Sequence, residues 1–111
     1  MKRDDRSAAI AAYRERKAAP GIYAVRCAAS GEVWVGHTPT LDTVRNRTWF
    51  TLRMGGHVDH GIQAAWRAHG ADGFAFEELE RLEEEPVAHV RESALKTRAA
   101  HWRATLGAKT I

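Results

Sequence analysis

Two short apolar runs, Gly21-Ile22-Tyr23-Ala24-Val25 and Val33-Trp34-Val35-Gly36, stand on either side of Ser30-Gly31. β-branched and aromatic residues favour extended backbone, and a Ser-Gly pair between them favours reversal. The chain is therefore predicted to make a β-hairpin, with strands over residues 21–28 and 32–37. Residues 73–82 read as a third strand, in which Phe74 and Phe76 alternate and Leu79 breaks phase, as at a β-bulge.

The remaining segments carry helical signals. Residues 4–18 are Ala-rich, with Ile10 and Tyr13 as a thin apolar stripe, and Pro20-Gly21 ends them. Thr40 is a fair N-cap, with Asp42 in the first turn where the helix dipole favours an acid, and that helix stops at Gly55-Gly56. Residues 59–69 place Ile62, Ala65, Trp66 and His69 on one face, and Gly70 closes them. After Pro86 a long helix runs to about Leu106, with Leu95, Ala99, Trp102 and Leu106 facing the core. The expected fold is α+β: a small three-stranded antiparallel sheet flanked by helices. It divides into an N-terminal helical extension, 1–19, and a domain over 20–108.

A chain of 111 residues is one domain, long enough to bury a core without disulfides or a structural metal. No apolar run approaches the length of a membrane span, and Met1-Lys2-Arg3-Asp4-Asp5-Arg6 lacks the apolar stretch of a secretory signal. The single cysteine, Cys27, falls in a strand and reads as a small core residue in a reducing cytoplasm. The net charge of +3 is a mild bias toward polyanions. Its distribution says more, because Arg45, Arg47 and Arg53 share one helix without an acid between them.

The hairpin motifs, followed by Asn46-Arg47, Gly56-His57, Gln63, Trp66, His69-Gly70 and Phe76-Glu77 with Leu79-Glu80, resemble the GIY-YIG nuclease family over residues 20 to 82. The resemblance implies hydrolysis of nucleic-acid phosphodiester bonds. That chemistry needs a group to position water, a cation for the developing charge, a metal on the phosphate and a proton for the leaving oxygen. Tyr23 matches the first signature tyrosine, near the attacking water. His57 matches the family's Gly-x-His, against phosphate or leaving group. His57 and His60 lack a third partner at metal-ligand spacing. The helix arginine falls, in the common pattern, on Val44. Asn46-Arg47 resembles a divergent branch with its own Asn-Arg pair, which ranks Arg47 above Arg45 as the phosphate clamp. A guanidinium fork suits phosphate oxygens.

Two further positions depart from the pattern. Trp34 stands for the second tyrosine and keeps one N–H donor, but its indole accepts no proton. It is assigned to packing or to the substrate wall, with Arg45 as a second substrate contact. Ala99 stands where the family has its metal-binding glutamate, and a methyl group cannot ligate Mg²⁺ or Mn²⁺. Glu92, nearly two turns earlier, is the acid that remains for a metal, against an i, i+4 pair with Lys96. Glu77 and Glu80 are further carboxylates of the third strand.

Two functions follow. One is a metal-dependent endonuclease acting on DNA before RNA, in the cytoplasm, with a protein partner supplying specificity. The other is a nuclease-like fold that binds nucleic acid or protein without catalysis. A carboxylate beside Tyr23 and Arg47 favours the first; its absence favours the second.

Overall fold

The computed structural model describes residues 20–111. The helix expected over 4–18 lies outside the described residues. Strand β1 spans Gly21–Cys27, β2 Glu32–Thr38, helix α1 Leu41–Met54 and α2 His60–His69. A single 3-10 turn, Ala71–Gly73, leads into β3 Phe74–Arg81, and α3 Ala88–Leu106 is followed by β4 Lys109–Thr110.

The sheet has four strands in the order β3-β1-β2-β4. β1 runs antiparallel to both β2 and β3, whereas β4 lies parallel to β2, with Trp34 opposite Lys109 and Val35 opposite Thr110. The expectation of three antiparallel strands is corrected to a mixed sheet of four. The added strand is two residues long and polar, so no apolar alternation announced it. It is held from outside by the Ile111 amide donating to the Val35 carbonyl and by Lys109 Nζ, 2.6 Å from Glu32 Oε2.

Side chains alternate along a strand, so β1 serves two cores at once. Tyr23, Val25 and Cys27 join Trp34 of β2 in packing against Leu41, Val44 and Leu52 of α1 and Ile62 and Ala65 of α2. Ile22 and Ala24 join Val35 on the opposite face, against Leu95 and Ala99 of α3. A register shift in β3, opposite Ile22 and Tyr23, absorbs the phase break expected at Leu79. Phe74 and Phe76 thereby lie beside the first core and Leu79 beside the second.

Helix α1 begins near the expected residue by another device. The Thr40 side chain caps no backbone amide; its hydroxyl instead accepts from Thr43 Oγ1 at 3.1 Å. At the other end Gly55 adopts φ 81°, a left-handed conformation that favours glycine, and its amide closes on the Leu52 carbonyl.

On the α3 face, Glu80 Oε1 accepts from Arg98 Nε at 2.8 Å and from Trp102 Nε1 at 2.9 Å. These contacts tie the last turns of α3 to β3. The Trp102 indole holds the Glu80 carboxyl below the ordinary carboxylate range, burial opposes, and Arg98 adds to the lowering. The folded chain thus favours the charged form. The contribution is present above the unfolded carboxylate pKa of about 4.3 and is lost as pH falls through the lower folded value. Glu80→Gln is expected to lower the thermal midpoint at neutral pH and to flatten its fall as pH drops below the unfolded carboxylate pKa. An unchanged acid limb would remove Glu80 from the acid response.

Candidate nucleic-acid interface

Tyr23 is 6% exposed and lies opposite Gly36 in the β1–β2 ladder. Its ring covers that glycine: a Cβ on Gly36 would come within 2.8 Å of the phenol Cζ and Oη. Phe76 stacks on Tyr23 with ring centroids 5.3 Å apart and planes 11° apart. The phenol is thus set in place by a missing side chain on one strand and an aromatic ring on the other.

Above the phenol lies a cavity of about 280 Å³, lined by Tyr23, Val44, Arg47, Thr48, Thr51, His57 and Ile111 among others. Arg47, His57 and Tyr23, three residues singled out from the sequence, meet there. Val44, where the common pattern has arginine, is buried and forms apolar wall. Arg47 lies almost one turn further along α1 on the exposed side, its Nη1 donating to Thr43 Oγ1 at 3.3 Å. The rest of its guanidinium fork has no partner among the described hydrogen bonds.

Burial pushes the Tyr23 phenol above its ordinary range; the Arg47 charge opposes this and the Asp59 carboxylate adds to it. The phenol therefore stays protonated at neutral pH. It can donate a hydrogen bond to a phosphate oxygen or hold a water, but it is not poised as a base.

His57 is placed by the loop after Gly55-Gly56. Its backbone amide donates to Gln63 Oε1 at 3.0 Å, and Gln63 Nε2 donates to the Leu52 carbonyl at 3.1 Å. Its ring Nδ1 accepts the Asp59 amide at 2.9 Å. A neutral imidazole that accepts at Nδ1 carries its proton on Nε2, so this residue of the cavity lining keeps one N–H donor. Burial pulls this imidazole below its ordinary range, with the Asp59 charge opposing. Neutral His57 can hydrogen-bond a phosphate or a leaving oxygen.

Asp59 is the residue that sequence reasoning passed over. Its Oδ1 caps α2 by accepting the Ile62 amide at 3.0 Å, and its charge is felt at both Tyr23 and His57. The signal lay in view, an Asp just before an apolar helical stripe. It is not among the residues that line the cavity.

The other expected site residues lie elsewhere. Trp34 is 1% exposed and stacks on Phe74, so it offers a substrate no surface. Arg45 is exposed on α1 and does not line the cavity. Glu92 is exposed on α3, its Oε2 3.8 Å from His37 Nε2. His37 stands opposite Ile22 in the ladder, so it shares the face away from Tyr23. Glu77 pairs with Arg26 at 2.8 Å, and Glu80 with Arg98 and Trp102.

Two solved structures share this fold. The catalytic domain of the homing endonuclease I-TevI matches with a TM-score of 0.68 and 22% identity, over 83% of this chain and 97% of that one. A mutant form of the catalytic domain of the intron endonuclease I-TevI matches with a TM-score of 0.66 and 24% identity, over 80% of this chain and 84% of that one. No protein-family model and no curated protein matches the chain. The chain has the fold of a GIY-YIG endonuclease catalytic domain.

GIY-YIG nucleases generally use a divalent metal. The donor set here does not fit one. Among the described residues no three His, Cys, Asp or Glu side chains gather as ligands. Ala99, 1% exposed, is enclosed by Ile22, Ala24, Val35 and Leu95 and brings no oxygen. No carboxylate lines the Tyr23 cavity.

Proposed function

We propose that this chain engages the phosphodiester backbone of nucleic acid, DNA before RNA, in the Tyr23–Arg47–His57 cavity of its endonuclease-type fold. The observation that carries this reading is the meeting of three complementary groups in one open cavity: a guanidinium, an imidazole N–H and a protonated phenol. All three are donors, and a phosphodiester presents acceptors and a negative charge. Arg47 on α1 supplies the charge, and His57 Nε2–H and the phenol supply direction, the phenol held by the β1–β2 ladder and the imidazole by its bonds to Gln63 and Asp59.

The donor set favours binding without metal-dependent cleavage, because no carboxylate joins these groups. The second reading is an endonuclease of the same pocket, favoured by the same convergence. In it, Tyr23 orients the attacking water, Arg47 stabilises charge on the phosphate and His57 hydrogen-bonds the departing oxygen. Specificity would come from a protein partner, since phosphate contacts carry no sequence information.

The experiment is to incubate the protein with supercoiled plasmid and with single-stranded DNA in Mg²⁺, Mn²⁺ or EDTA, reading binding and nicking together. Binding in EDTA with no nicking in any metal is expected. Metal-dependent nicking abolished by Tyr23→Phe would instead establish the endonuclease. Absence of binding by folded protein would sink the nucleic-acid reading.

A further inference from the structure

The Tyr23 cavity does not end at His57. A second cavity, of about 540 Å³, adjoins it along the loop between α1 and α2 and the first turns of α2. The two share Gly56, His57 and Val58 as lining. The second adds His60, Gln63 and Arg67, and no acid lines it. Each cavity thus holds one arginine, with His57 between them.

The shared wall is open at Gly56. Unlike Gly55, this glycine has no positive φ, and a Cβ built on it meets nothing within 4 Å. Neither local backbone strain nor packing requires glycine there. Without a side chain, the backbone is left bare at the junction of the two cavities.

We propose that the second cavity is a subsite for a neighbouring phosphate of the same nucleic-acid strand, held by Arg67 with His60 beside it. This rests on the phosphodiester reading of the first cavity. A strand carries repeating negative charge, and two adjoining cavities that each hold an arginine suit neighbouring phosphates of that strand. Arg67 donates to the Gly55 carbonyl with only one arm, Nη2 at 3.4 Å. Its other donors have no partner among the described hydrogen bonds.

The test is the salt dependence of binding to a single-stranded DNA dodecamer in EDTA, for wild type, Arg67→Ala, Arg67→Lys, Gly56→Leu and Arg47→Ala. Arg67→Ala is expected to weaken binding about three- to tenfold and to make the slope of log K against log salt shallower by about 0.7, the value for one phosphate on a single strand. Arg67→Lys keeps the charge and should keep the slope. Gly56→Leu should weaken binding at an unchanged melting midpoint. Arg26→Ala, whose partner is Glu77 outside both cavities, should match wild type. If Arg47→Ala weakens binding while Arg67→Ala keeps the wild-type slope, the subsite is wrong and the primary site stands. If wild type itself does not bind, both readings fall.

Discussion

Replacing Arg47 with alanine is expected to weaken DNA binding by about tenfold or more, with no loss of stability. A hydrogen-bonded contact to a charged partner contributes about 1.5–3 kcal/mol, and about 1.4 kcal/mol is a factor of ten in affinity. The side chain is exposed, and its one described bond, to Thr43, is long. Its removal therefore leaves both cores untouched. Arg47→Lys should recover part of the affinity, because an ammonium restores charge without the planar fork. Fluorescence anisotropy with labelled single-stranded DNA at low salt reads the effect, and thermal melting checks the fold. Wild-type affinity in Arg47→Ala would move the phosphate away from this cavity altogether.

Trp34→Ala is expected to cost about 3–5 kcal/mol of folding stability, the range for large aromatic truncations in a core. The indole is among the largest fully buried side chains of the domain and meets Phe74 at 6.4 Å between ring centroids. Alanine would remove that contact and leave a hole between the sheet and the helices. A domain this small has only about 5–15 kcal/mol in total, and each kcal/mol moves its midpoint by about 4–8 °C. Denaturant titration should show a lower midpoint at an unchanged slope. Trp34→Tyr should lose less, since a ring remains. If Trp34→Ala kept wild-type stability but lost DNA binding, the residue would return to the substrate wall assigned to it from sequence.

Much of this molecule could be read before its structure. The helix boundaries at Met54, His69 and Leu106 and the hairpin strands were legible, because apolar period and glycine punctuation agree there. Arg47 was singled out by the resemblance of Asn46-Arg47 to a divergent branch of the GIY-YIG family, not by spacing, and it lines the same cavity as Tyr23. Strand β4 was not, since Lys109-Thr110 pairs by backbone alone and leaves no side-chain pattern. Glu92 shows a different limit. Helical spacing places it near the line of Leu95 and Ala99, but spacing cannot say which face of the sheet the helix covers. Here α3 covers the face that carries Ile22 and His37, and Glu92 goes with it. His69 was expected on the α2 stripe and is exposed at the last residue of the helix.

The bond from the Asp59 amide to His57 Nδ1 makes the imidazole a latch as well as part of the cavity lining. One nitrogen fastens the loop to the start of α2 while the other carries the proton of the neutral ring. A second proton can enter only at the fastening nitrogen. The ring's contribution to stability is present above the unfolded histidine pKa of about 6.5 and is lost as pH falls through the depressed folded value. Acid thus gives the cavity an extra positive charge that a phosphate would welcome, and in the same event releases the bond that aims it. Attraction and alignment are set against each other on a single ring.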